Sequence, residues 1–155
     1  MKIRLTINNR KKSFEVPANR TLMDLLRSNG FWSVKQGCEN GDCGNCTIIV
    51  DGLAVNSCLM LAVQADGKRV ETFEGIRDEK ELSGIKEALM DFGDIDCGYC
   101  IPSMVMSLKA LLDRIPDPTE EELVDALNGN LCRCTQSVKP IRALLAAIKK
   151  RQGEW

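Results

Sequence analysis

Hydrophobic and polar positions alternate in the first half of the chain with the period of two that is typical of β-strands. Residues 3–7 predict a half-buried strand, and the Asn-Asn pair at residues 8–9 predicts a tight turn into a returning strand over residues 12–16. A short helix is predicted between a capping box at Thr21 and a left-handed end at Gly30. Further strands are predicted over residues 47–50, 53–56 and 69–73.

In the second half the hydrophobic period changes to 3.6, which predicts α-helices. A polar and charged stretch over residues 76–82 is interpreted as a linker between a first domain, residues 1–75, and a second domain, residues 83–155. Four helices are predicted in the second domain. Their signals are an apolar face at Leu82, Ile85, Leu89 and Phe92 before Gly93, a helix start at Pro102, a capping box at Thr119, and a final cap at Ser137 before Val138.

Eight cysteines fall into two groups of four. The first group has the spacing C-x4-C-x2-C with a fourth cysteine twelve positions later: Cys38, Cys43, Cys46 and Cys58. Four thiolates hold one [2Fe–2S] cluster, and this spacing is that of plant-type ferredoxins. The predicted fold class is therefore α+β, with an N-terminal plant-type ferredoxin-like (β-grasp) domain followed by an all-α four-helix domain.

The second group consists of a C-x2-C pair before one predicted helix and a C-x-C pair between two others: Cys97, Cys100, Cys132 and Cys134. Packing these helices side by side would bring four thiolates together, and helix N-termini would favour an anionic cluster. The spacing alone fits a four-cysteine zinc site as well, and a disulfide pair is a further alternative. The ferredoxin spacing in the same chain favours a second [2Fe–2S] cluster.

The first group lies in a loop that contains Gly37, Gly41 and Gly44. Wrapping three cysteines around one cluster requires sharp bends, and glycine adopts positive φ without a Cβ clash. The three glycines permit such bends. Their missing side chains would also let backbone amides approach the cluster sulfurs.

Composition narrows the function further. Hydrophobic residues make up 44% of the 155 residues, and the formal net charge of −1 gives no basis for binding nucleic acid or an anionic membrane. The chain has no histidine, which excludes a Rieske site, histidine-ligated zinc and His-dependent nucleophilic catalysis within it.

No apolar run approaches the roughly 20 residues of a membrane span, and the N-terminus lacks a signal peptide's apolar stretch. A cytoplasmic location is expected.

Four stretches together resemble the small iron–sulfur subunit of molybdenum hydroxylases, the family of xanthine dehydrogenase, aldehyde oxidoreductase and molybdenum-type carbon monoxide dehydrogenase. They are residues 33–38 (SVKQGC), 41–47 (GDCGNCT), 97–100 (CGYC) and 129–135 (GNLCRCT). The resemblance implies two [2Fe–2S] clusters in an electron-transfer subunit of a hetero-oligomeric oxidoreductase. It also implies a large molybdopterin-binding partner subunit and an FAD-binding partner subunit, with no catalytic residue in this chain.

By the same resemblance the second cluster faces the pterin and the first faces the flavin, with Asp96 and Cys134 as pterin-side contacts. The chain departs from the family pattern at five positions, which are expected on the pterin side: Asp96, Ile101, Ser103, Gln136 and Ser137. Asp96 stands where the family has glutamine, and a carboxylate cannot donate as an amide does. Alternative functions are a free-standing two-cluster carrier, a subunit of an atypical oxidoreductase without molybdenum, and a zinc-bound structural module.

Overall fold

A computed structural model describes residues 1–91, 95–135 and 140–152 of the chain. Five strands form one mixed sheet with the spatial order β2-β1-β5-β3-β4. The strands are β1 (Lys2–Ile7), β2 (Arg10–Glu15), β3 (Thr47–Val50), β4 (Leu53–Asn56) and β5 (Arg69–Glu71). The helices are α1 (Leu22–Ser28), α2 (Phe73–Ile76), α3 (Ser83–Met90), α4 (Ile101–Leu112), α5 (Glu120–Asn128) and α6 (Ile141–Gln152). The predicted combination of a sheet with helices is confirmed.

Turn chemistry fixes the register of the hairpins. Asn8 and Asn9 both have positive φ, 48° and 64°, and join β1 to β2 as a two-residue turn with Ile7 opposite Arg10. A second hairpin joins β3 to β4 through Asp51 and Gly52, which also have positive φ. β5 then lies between β1 and β3, parallel to β1 and antiparallel to β3. The strand predicted to reach residue 73 ends earlier, because Phe73 begins α2.

The helix caps follow the sequence signals. The Thr21 hydroxyl accepts from the Asp24 amide at 3.1 Å at the start of α1, and Gly30 has φ of 88° just beyond its end. At α5, Thr119 and Glu122 form a reciprocal capping box. Pro102 lies in the first turn of α4, as predicted. Phe92, Gly93, Ser137 and Val138, which carried other predicted helix signals, lie outside the described residues.

Strand β3 contributes to two hydrophobic cores. Ile48 and Val50 pack with β1, β5 and α1 on one face of the sheet. Ile49 points to the opposite face and is buried among residues of the helices. The period of two in a strand produces this division, because successive side chains point to opposite faces. The helical half is therefore packed directly on the sheet, mainly through α4.

The predicted linker contains buried residues at both ends. Ile76, at the end of α2, and Leu82, in a 3₁₀ turn before α3, are both part of the helical core. Residues 77–81 between them are exposed, so the chain is anchored at both ends of an exposed segment. The domain limits at residues 75 and 83 stay a prediction.

A half-buried carboxylate ties the start of α2 to the loop before the first cysteine group. Glu74 accepts from the Ser33 amide at 2.7 Å, the Ser33 hydroxyl at 2.6 Å and the Thr72 hydroxyl at 2.7 Å. Burial acts to raise the pKa of Glu74, but these hydrogen bonds outweigh it and hold the pKa below its ordinary value of 4.5. The network stabilises the ionised form in the folded state.

Replacing Glu74 with Gln should lower the free energy of unfolding by about 1 kcal/mol at pH 7. A carboxylate with a depressed folded-state pKa contributes stability above its unfolded pKa and loses it as the pH falls through the folded value. The difference between wild type and variant should therefore shrink below pH 4.5. Denaturant titrations at several pH values measure it, with Glu15→Gln at the end of β2 as the control for losing an exposed carboxylate. A constant difference across this pH range would contradict the prediction.

Candidate metal centres

The first cysteine group is collected from three places in the sheet half. Cys38 and Cys43 lie in the loop between α1 and β3, Cys46 directly precedes β3, and Cys58 lies in a 3₁₀ turn directly after β4. The hairpin β3–β4 returns the chain so that Cys58 approaches Cys46. The thiols form two contacting pairs, Cys38 with Cys43 and Cys46 with Cys58.

The surroundings shift the pKa values of the thiols in this group in opposite directions. The backbone amide of Cys43 lowers the pKa of Cys38 to about 7, helped by the Cys43 thiol and the Asn40 amide. Burial raises the pKa of Cys58 to about 12, and the neighbouring Cys46 adds to the effect. Cys38 thus ionises readily, whereas Cys58 needs a bound cation to stabilise its thiolate.

Two of the three loop glycines have the predicted conformation. Gly41 and Gly44 have φ of 87° and 65°. The φ of Gly37 is not in this region, but a side chain is excluded there for another reason. A Cβ at Gly37 would lie 2.9 Å from the Cys43 sulfur and 2.6 Å from Asn45 Nδ2. The glycine leaves this space free beside the thiols.

The second cysteine group lies between helices, as predicted. Cys97 and Cys100 occupy the turn before α4, and Cys132 and Cys134 follow α5. The sulfurs of Cys97 and Cys134 are 3.6 Å apart, and Cys100 contacts Cys132. The inner pair, Cys100 and Cys132, is buried, whereas Cys97 is exposed and Cys134 half-buried.

A hydrogen-bond donor is directed at the inner pair. The Thr135 amide lies 3.5 Å from the Cys132 sulfur. Burial acts to raise the pKa of Cys132, but hydrogen bonds from Thr135 outweigh it, so that the pKa lies below its ordinary value. Asn45 provides an equivalent amide in the first group, 3.4 Å from the Cys43 sulfur. Each group therefore contains a backbone amide suited to stabilising sulfur with negative charge.

Direct hydrogen bonds connect the two cysteine groups. The Leu131 amide donates to the Cys43 carbonyl at 2.9 Å, and Asn130 Nδ2 donates to the Gly44 carbonyl at 3.1 Å. The Gly129 carbonyl packs so closely that a Cβ at Gly44 would lie 2.0 Å from its oxygen. We call these five residues, 43–44 and 129–131, the interloop seam. Sequence reasoning missed it, although residues 129–131 belong to the second cysteine motif.

The departures from the family pattern lie in different environments. Asp96 is exposed beside Cys97, and Cys97 contacts Cys134, so that Asp96 and Cys134 lie on the same surface. Ile101 is half-buried at the start of α4. Ser103 was expected on the pterin side, but it is 2% exposed and its hydroxyl lies between the Cys100 carbonyl at 2.9 Å and Asn45 Oδ1 at 3.5 Å. Gln136 and Ser137 lie outside the described residues.

The arrangement of the thiols fits a two-iron centre. In a [2Fe–2S] cluster with four cysteines, each iron has two protein thiolates, so the sulfurs are expected in two pairs. Both groups show this pairing. Among residues 1–91, 95–135 and 140–152, no three cysteine or carboxylate side chains are arranged to hold one metal ion.

None of the helices in these residues is long and apolar enough to cross a bilayer.

Comparison with known families gives two adjoining matches. Residues 5–74 match the family described as a 2Fe-2S iron-sulfur cluster binding domain, and residues 72–145 match a [2Fe-2S] binding domain. The nicotinate dehydrogenase small FeS subunit of Eubacterium barkeri is 43% identical over 149 residues, which cover 96% of this chain and 95% of that protein. The xanthine dehydrogenase iron-sulfur-binding subunit of Escherichia coli O157:H7 is 42% identical over 135 residues, 86% of this chain and 85% of that protein.

A solved structure shows the same fold. Aldehyde oxidoreductase from Desulfovibrio gigas superposes with a TM-score of 0.87 at 34% identity, over 99% of this chain and 17% of that one.

Proposed function

The chain belongs to the family of small iron–sulfur subunits of molybdenum hydroxylases, and on this basis we propose that it carries electrons between two partner subunits through two [2Fe–2S] clusters. The partners are a large molybdopterin-binding subunit, which oxidises the substrate, and an FAD-binding subunit or another acceptor. The observation that carries the proposal is the pairing of thiols in both cysteine groups.

Each group of four cysteines would hold one [2Fe–2S] cluster, which supplies reversible one-electron chemistry. Cys38, Cys43, Cys46 and Cys58 form the first set of ligands, in a ferredoxin-like β-grasp domain. Cys97, Cys100, Cys132 and Cys134 form the second set, in a four-helix domain. The buried position of Cys46 and Cys100 keeps water from the inner face of both sites. The amides of Asn45 and Thr135 stabilise negative charge on sulfur.

The exposed end of the second site suits contact with the molybdopterin subunit. Cys97 and Cys134 lie at the surface with Asp96 beside them, whereas Cys100 and Cys132 form the buried end of the site. The first site would then serve the flavin side. Electron tunnelling weakens steeply with distance. Two centres held together by the interloop seam divide the distance between the partner cofactors into shorter steps than one centre would.

The chain needs no acid–base or nucleophilic residue for this role. The substrate is chosen by the large subunit, and the complex is expected in the cytoplasm. Asp96 replaces the amide that the family has beside this surface. A matching change in the large subunit, an atypical molybdenum partner or another donor cofactor would each accommodate its carboxylate.

Anaerobic isolation of the complex from its native host should yield about four irons and about four labile sulfides per copy of this chain. Reduction should produce two distinct EPR signals, because the two sites have different surroundings. A large molybdenum-containing chain should co-purify. Stoichiometric zinc without sulfide would contradict the proposal, and full iron content without a large partner chain would favour the free-standing carrier.

A further inference from the structure

The interloop seam joins residues whose positions depend on the two sets of ligands. Its acceptors are the carbonyls of Cys43 and of the next residue, Gly44. Its donors belong to Asn130 and Leu131, which directly precede Cys132. Because the seam contains a ligand on one side and directly adjoins a ligand on the other, holding either cysteine in place also orders one half of the seam.

Asn130 is the side chain that fixes this seam. It is 1% exposed, and both ends of its amide are used: Nδ2 donates to the Gly44 carbonyl at 3.1 Å, and Oδ1 accepts from the Ser107 hydroxyl at 2.8 Å. Ser107 lies on α4, the helix that begins directly after Cys100. The side chain thus connects the loop of the first site to a rigid element of the second.

The close approach of the backbones leaves little freedom for the two loops to move apart. The distance from Gly44 to the Gly129 carbonyl allows no side chain. Cys43, Gly44 and Asn130 are buried, whereas Gly129 and Leu131 are exposed. Separation of the loops would remove the hydrogen bonds that Leu131 and Asn130 donate to the Cys43 and Gly44 carbonyls, although the Gly44 carbonyl would still accept from the Thr47 amide and hydroxyl. The loss of these bonds makes the separation unfavourable. Movement in one loop is therefore transmitted to the other.

We propose that Asn130 is a positioning residue that couples the two sites, so that a cluster held in one site slows the loss of the cluster from the other. This inference rests on the proposed function, because it requires two clusters. It adds that the sites are not independent, although they lie in different halves of the chain.

The coupling is measured by emptying one site and observing the other. Cys58→Ser disables the first site without changing a seam residue. Iron release to excess EDTA is followed under anaerobic conditions, using the full chain and the EPR signal that this variant retains. We expect the second cluster to be lost roughly five- to tenfold faster when the first site is empty than when it is filled, as expected for one buried hydrogen bond.

The same comparison in an Asn130→Ala background should show a clearly smaller difference, because only the backbone contacts of the seam then remain. A residue that only supports the fold would raise both rates equally and leave their ratio unchanged, so the ratio isolates the coupling. Ser107→Ala gives a milder second test, since it frees one end of the Asn130 amide. Thr72→Val is the matched control, because it removes an equally buried hydroxyl that bonds to Asn8 and Glu74 instead of the seam.

A ratio of one in the otherwise unchanged chain would overturn the coupling while leaving both clusters in place. A ratio that stays high in Asn130→Ala, with the far-UV circular dichroism of the folded protein, would overturn the role of Asn130. A chain without iron and sulfide would overturn the proposed function itself.

Discussion

Cys100→Ser is expected to halve the iron content of the protein, from about four to about two irons per chain. Cys100 is buried at the start of α4 and contacts Cys132, so it belongs to the inner pair of the second site. A serine hydroxyl does not ionise near neutral pH and is a poor replacement for a thiolate ligand. The fold should survive, because the sheet core and most helix contacts do not involve this side chain.

Iron and labile-sulfide analysis together with EPR of the reduced protein provide the measurement. The reciprocal variant, Cys58→Ser, is the control: it should lose the other EPR signal and retain the one that Cys100→Ser loses. If either variant removed both signals in freshly prepared anaerobic protein, or if both variants removed the same signal, the assignment of the cysteines to two sites would be wrong.

Gly44→Ala should destabilise the fold strongly. A non-glycine residue at φ of 65° costs roughly 1–2 kcal/mol. The new Cβ would also lie 2.0 Å from the Gly129 carbonyl oxygen, and relieving such overpacking costs typically about 1–3 kcal/mol. Together these effects predict a midpoint of thermal unfolding lower by about 5–15 °C.

Gly52→Ala is the matched control, because Gly52 has φ of 84° but a Cβ added there would meet no atom within 4 Å. It carries the cost of backbone conformation without the clash. Anaerobic thermal melts of the two variants therefore separate the two contributions. Equal losses in both would mean that the close approach of the Gly129 carbonyl adds no cost to a side chain at residue 44.

The sequence predicted the parts of this molecule that are encoded locally. The caps at Thr21 and Thr119 and the turn at residues 8–9 depend on neighbours within a few positions, and the structure confirms them. Cysteine spacing likewise limits how four sulfurs can meet, so the sequence alone divides the cysteines into two groups. The boundary at Phe73 was missed, because a short helix directly after a strand has no hydrophobic period of its own.

What the sequence could not provide is the arrangement between the halves. Ser103 was expected on the pterin side of the second site, but α4 buries it and turns its hydroxyl toward Asn45 in the sheet half. The bond between Gly44 and Asn130 joins residues 86 positions apart, and no period or spacing signals such a pair. The packing of Ile49 against helices could not be predicted from the sequence for the same reason. A strand pattern shows which residues share a face but not what covers that face.

Strand β3 contributes to both hydrophobic cores, and this limits how the protein can be divided. A polypeptide truncated after residue 75 would leave Ile49 and its side of the sheet uncovered, and the separated helices would lack the surface on which α4 rests. Each fragment would expose apolar area of the kind that promotes aggregation. The whole chain is therefore the smallest piece that can be transplanted into another oxidoreductase, and chimaeras that exchange only one half should precipitate.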